Sequence, residues 1–149
     1  MKKYNCEERD MNKPSIWYWV ICVLGLLWSI GGGYDYLMVV TENAEYMGKI
    51  PAETLDYYNS FPNWLMWPWA IAIWGSVLGW LLMLLRKKLA VPVFLLALLG
   101  LIVNMLYFVL TGGLPIMGLV GTIFIIIAVA ISIFAVWFGR RNSANGTLS

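Results

Sequence analysis

Four mostly apolar stretches follow one another along this chain, and each has the length of about 20 residues that a helix needs to cross the hydrocarbon core of a bilayer. They run from Ile16 to about Val40, from Trp64 to Leu85, from Leu89 to Leu110 and from Leu114 to Phe138. Between them lie only a loop (41–63), the triplet Arg86-Lys87-Lys88 and the short Thr111-Gly112-Gly113, with tails at 1–15 and 139–149. Lipid offers no hydrogen-bond partners, so each crossing segment must satisfy its own backbone. These stretches also lack the alternation of polar and apolar residues that a membrane barrel strand requires. The expected fold is an all-α integral membrane protein, a bundle of four transmembrane helices in one domain.

Composition narrows the chemistry. The 149 residues are 61% hydrophobic and 12% charged, against roughly half and a quarter in an ordinary soluble domain. Low hydrophobicity and high charge, the signature of disorder, are both missing. Histidine is absent, which removes imidazole metal ligands, Ser-His-Asp triads and imidazole proton shuttles. With no nucleophile–base pair and no metal-ligand set in view, neither enzyme activity, a cofactor nor a metal is expected. The near balance of charge gives no reason to expect a nucleic-acid partner.

The positions of the charges predict the orientation. Lys2, Lys3, Arg9 and Lys13 precede the first stretch, Arg86, Lys87 and Lys88 separate the second and third, and Arg140 and Arg141 follow the fourth. An even number of crossings puts these three places on one side, and short basic loops stay cytoplasmic. The reading is N-in, C-in. The opposite loop carries Glu42, Glu45, Glu53 and Asp56 with Lys49, a net charge of −3. A cleaved secretory signal ending near Gly31–Gly33 is the competing reading, but Glu7, Glu8 and Asp10 in its basic region and Trp17, Trp19 and Trp28 in its core disfavour it. Cys6, in the tail, and Cys22, inside a helix, do not favour a disulfide.

Asp35 is the one ionisable residue within an apolar stretch, which makes it a functional candidate by default. At about 1.5 Å per residue it lies roughly 28 Å from Ile16, near the outer interface. It reads either as a proton- or cation-binding carboxylate or as an interfacial acid bonded to a neighbouring tyrosine. Asn104, about 22 Å from Leu89, falls in the same outer half. Tyr34, Tyr36 and Tyr107 bring hydroxyls to that depth, so Asp35, Asn104 and Tyr107 form a candidate polar cluster. Its alternative is interhelical hydrogen bonding with no ligand.

The tryptophans divide in two. Trp17, Trp19, Trp64, Trp67, Trp69 and Trp137 stand at the ends of stretches as an interfacial belt would place them. Trp28, Trp74 and Trp80 lie deeper and either line a cavity for a flat or sugar-like molecule or pack. Gly25, Ser29 and Gly32 share a helix face, as do Ala72, Ser76 and Gly79. Gly75 and Gly79 have GxxxG spacing, a sign of close helix contact within or between chains. The run Gly31-Gly32-Gly33 is expected to loosen the first helix. In the loop, Pro51 and the following acids start a short surface helix that Phe61-Pro62 ends. Leu55 and Tyr58 should face the membrane surface, with Glu53 and Asp56 in water.

Three segments carry a resemblance to known proteins: Gly32 to Met38 (Gly-Gly-Tyr-Asp-Tyr-Leu-Met), Tyr57 to Trp64 (Tyr-Tyr-Asn-Ser-Phe-Pro-Asn-Trp) and Trp74 to Gly79 (Trp-Gly-Ser-Val-Leu-Gly). Their order resembles a group of small four-helix bacterial membrane proteins labelled "sugar transporter". Phe61-Pro62-Asn63-Trp64 before a glycine-rich helix gives a looser likeness to DoxX-like membrane proteins. The resemblance implies a bacterial inner-membrane location and a sugar-like solute, but assigns no residue a role. A weak echo of Gly25–Ile30 in Gly100–Met105 fits the internal repeats of transporters. Two functions stay open: a transporter or transporter subunit, and a non-transporting accessory protein acting through helix and outer-loop contacts. The expected partners are the bilayer and either further copies of the chain or another membrane protein.

Overall fold

The computed structural model describes residues 14–149; Lys2, Lys3, Cys6, Arg9 and Lys13 lie outside them. Among the described residues every regular element is helical: α1 (Ile16–Val40), α2 (Ala44–Met47), α3 (Ala52–Asn59), a 3-10 turn (Asn63–Leu65), α4 (Met66–Leu84), α5 (Ala90–Leu110) and α6 (Gly113–Ala144). Four helices are long and apolar enough to cross a membrane: α1, α4 with its preceding turn, α5 and α6.

Local chemistry sets the helix ends. The Ser15 hydroxyl accepts the Trp17 amide, and the Asn43 side chain accepts the Tyr46 amide, which satisfies donors that a helix start leaves free. Three long helices end alike. The residue at the left-handed position returns its amide to the carbonyl three residues back, and the next residue's amide reaches five back, a pairing that satisfies the last carbonyls. Gly146 takes that position after α6, but Glu42 (φ 49°) takes it after α1 and Arg86 (φ 57°) after α4.

Two expectations are corrected, one about glycine and one about where the last helix ends. Gly31-Gly32-Gly33 does not loosen α1, which is continuous; Gly32 and Gly33 lie against Ile73 and Trp74 of α4, and this packing outweighs their poor helix propensity. The break falls in α6, where Gly118 leaves helical geometry at φ 66° and ψ −176°. The Thr122 hydroxyl spans it, 2.8 Å from the Gly118 carbonyl and 3.4 Å from that of Leu114. Beyond the break α6 stays helical to Ala144, six residues past the expected end at Phe138. The segment after Phe138 is therefore no loose tail. Leu148 is buried in the core, Arg86 Nε donates to the Thr147 carbonyl at 2.8 Å, and Ser149 N donates to the Arg86 carbonyl at 2.6 Å.

Small residues decide which helices touch. α4 lies between α1 and α5, and α6 packs on α5. On the α1 side, Ser29 and Ser76 hydroxyls share a 2.8 Å hydrogen bond, and Gly25 makes room for the Trp80 indole. On the α5 side, Gly75 meets Ala97, Gly79 meets the Phe94 ring, and Gly100 lies against Ala72 and the Pro68 carbonyl. The GxxxG pair is thus used inside the chain. α1 and α6 meet through side chains, Trp28 stacking on Phe124 and Tyr18 on Phe138.

The apolar core is gathered at the end of the bundle that carries Arg86, Lys87, Lys88, Arg140 and Arg141. Tyr18, Cys22, Trp80, Met83, Phe94 and Phe138 fill it. The Tyr18 hydroxyl donates to the Met83 carbonyl at 2.5 Å, whereas the buried Trp80 Nε1 has no partner. The opposite, acidic end is built differently.

Candidate functional site

A cavity of about 170 Å³ opens in the acidic half of the bundle, and α1, α3, α4, α5 and α6 all contribute to its wall. α1 supplies Gly32 and Asp35, and α5 supplies Leu101, Asn104, Met105 and Phe108. Trp69, Ala72 and Ile73 come from α4, and Met117, Phe124, Ile125 and Ala128 from α6. Tyr58 of α3 and Phe61 just after it complete the lining from the loop. The wall is aromatic and aliphatic, with Asp35, Asn104 and Tyr58 as its strongly polar members.

The loop is held over this space by specific contacts. Tyr57 is buried, its hydroxyl 2.5 Å from Thr111 Oγ1 and its ring packed on Phe61 and Phe108. It lies directly on Gly113, where any side chain would overlap the phenol. Thr54 Oγ1 donates to the Ile116 carbonyl at 3.4 Å, and the Tyr58 hydroxyl is 3.7 Å from Met117 Sδ. The surface helix expected from Pro51 is therefore present, with Pro51 one place before its first turn. Glu53 and Asp56 are exposed as expected. The inward residues are Thr54, Tyr57 and Tyr58, so α3 sits on the bundle and Tyr58 turns to the cavity instead of the membrane surface.

Asp35 is partly buried and accepts a hydrogen bond at Oδ1 from the Tyr46 hydroxyl of α2. That bond, reinforced by burial and by the carboxylate's charge, pushes the Tyr46 hydroxyl up to about 12. Burial first, and then the Asp35 charge, also raise the Tyr58 hydroxyl well above its ordinary value. Like ordinary tyrosines, both phenols hold their proton at neutral pH, and Tyr46 donates its own to the carboxylate. Among the described residues, no lysine or arginine pairs with Asp35; the ion pair nearest in sequence joins Lys49 to Glu45 on the loop.

The sequence-derived cluster is only half assembled. Asp35 and Asn104 do line one cavity. Asn104, however, gives its Nδ2 to the Gly100 carbonyl of its own helix at 2.9 Å, so this bond is not the interhelical one considered above. Tyr107 does not join them: its ring packs edge-on against Phe61 and Trp64. Tyr34 is exposed and meets Tyr46 by its edge, while Tyr36 packs on Trp69 and Trp74. Adjacent helical positions point about 100° apart, and Asp35 alone of its tyrosine-flanked triplet turns inward.

Although Trp28 and Trp80 together border a separate open pocket of about 350 Å³ between α1, α4 and α6, none of the three deep tryptophans lines the Asp35 cavity. Trp80 is core, Trp28 stacks on Phe124 from outside, and Trp74 is 43% exposed. The indole that does line it is Trp69, placed in the interfacial belt by its position near the start of a stretch. Tyr46, Tyr58, Phe61 and Phe124 were also missed, since helix-face arguments do not locate a loop that folds back over a bundle. Gly32, Asp35, Tyr58 and Phe61 do meet at the cavity. No protein-family model, curated protein or solved structure matches this chain.

Proposed function

We propose that this is a multi-pass protein of the bacterial inner membrane, with its basic end cytoplasmic, and that it carries a small organic solute or forms the binding subunit of a carrier. The observation that carries this reading is the loop-covered cavity in which α1 and α5 present Asp35 and Asn104. A mostly apolar pocket with a few polar groups converging on it is the common form of a small-molecule site, and intramembrane carboxylates mark solute and ion pathways. A sugar carries hydroxyls on most edges and needs a partner for each; three strongly polar lining residues favour a solute that is chiefly apolar.

The accessory alternative draws on the exposed acids Glu42, Glu45, Glu53 and Asp56, which suit contacts with a basic partner. It loses the support of the GxxxG pair, which α5 occupies. Reconstituted liposomes tested for uptake of a solute panel, sugars included, separate the two. The expected outcome is uptake by the wild type and its loss in Asp35→Asn with thermal stability retained. Flux unchanged in a folded Asp35→Asn protein removes the carboxylate from the mechanism, and no flux or binding by the wild type favours the accessory role.

A further inference from the structure

Building on the reading of the cavity as a solute site, we infer that its ligand is a small organic ammonium ion, bound by the Asp35 carboxylate and by the aromatic faces around it. The charge balance of the cavity is the first ground. Asp35 lines the space, Tyr46 occupies one carboxylate oxygen, and the described residues supply no cation to it. A carboxylate partly removed from water is costly unless paired, and a cationic ligand provides the missing charge. A neutral ligand displaces water and leaves the carboxylate less solvated than before.

The wall supplies the second ground. Tyr58, Phe61, Trp69, Phe108 and Phe124 all border the same space. Aromatic faces carry partial negative charge and attract ammonium groups, Trp most strongly, and such contacts gain strength where water is excluded. These rings also accommodate an apolar body, whereas they leave the hydroxyls of a sugar unpaired. Size gives the third ground. A dry cavity of about 150 Å³ holds benzene, so about 170 Å³ suits an ammonium carrying a ring or a few alkyl carbons and is too small for a bulky dye or a disaccharide.

Benzylammonium and its neutral counterpart benzyl alcohol test this with the full-length protein in lipid nanodiscs, by calorimetric titration and by thermal shift. Benzylammonium should bind about tenfold more tightly, and Asp35→Asn should erase the difference while keeping an acceptor for Tyr46 and the wild-type circular dichroism. Trp69→Leu is the second variant should Asp35→Asn not fold: it should weaken benzylammonium more than benzyl alcohol. Equal binding of the two compounds, or a preference that survives Asp35→Asn, overturns the ammonium assignment and leaves a solute site for neutral molecules. Tight binding of glucose with neither benzyl compound overturns it in favour of a sugar. Absence of binding by every compound overturns both the ammonium assignment and the solute-site reading beneath it.

Discussion

Glu42 and Arg86 hold the left-handed backbone that ends α1 and α4, a conformation in which a side chain costs about 1 kcal/mol or more relative to glycine. Arg86 has a return for it in the hydrogen bond from Nε to the Thr147 carbonyl. Glu42 is exposed, and its side chain enters no hydrogen bond among the described residues. Glu42→Gly should therefore raise stability by about 1 kcal/mol, seen as an increase of roughly 2 to 4 °C in Tm in nanodiscs; an unchanged or lower Tm contradicts the strain argument. Asp35 was legible at this scale because a lone carboxylate in an apolar stretch stands out whatever surrounds it. A bond to a tyrosine was one of the two readings of it, but which tyrosine was not legible, since Tyr46 reaches it from α2 by a chain reversal that leaves no periodic trace.

At the scale of elements, the four long helices could be read from hydropathy because lipid and core both accept apolar residues, so the length of each run decides the matter. α1 and α5 agree with that reading to within a residue at each end. The end of α6 was hidden by Arg140 and Arg141, which mark the edge of a hydrocarbon layer but do not stop a helix. Glycine was the least legible residue, since one composition served opposite ends. Gly31 has open space where a Cβ would go, whereas at Gly79 the Phe94 ring fills it. Gly31→Ala should stabilise α1 by about 0.5 to 1 kcal/mol, and Gly79→Ala should cost about 1 to 3 kcal/mol through overpacking against Phe94. Thermal unfolding of the two variants side by side is the check. Because Gly75 and Gly79 contact α5 of the same chain, replacing both with leucine should lower stability of the single chain. If that double variant instead changes only the oligomeric state, the contact lies between chains.

Across the whole molecule, the two ends of the bundle are built for different tasks. At the basic end aromatic packing fills the core and Thr147 and Ser149 hydrogen-bond to Arg86, while a wide open groove of about 810 Å³ runs between α1 and α6 on its outside. The acidic end is hollow and roofed by a short amphipathic helix. The charge difference between them was plain in the sequence, because it needs only the parity of the crossings. The difference in packing was not, because it depends on where bulky residues face one another across helices. The orientation proposed from the charges can be measured independently of any ligand. With Cys6 replaced by serine, a cysteine placed at Ser143 should react with an impermeant maleimide only after the cells are permeabilised, and one at Glu53 should react in intact cells; Cys22, fully buried, should stay silent in both. Replacing Arg86, Lys87 and Lys88 with glutamine removes the basic character of the central loop, so a fraction of molecules should insert inverted and the two labels should lose their exclusive sides. Labelling of Ser143→Cys from outside, with the basic loop intact, overturns the proposed orientation, and with it the side from which the proposed solute would enter the Asp35 cavity.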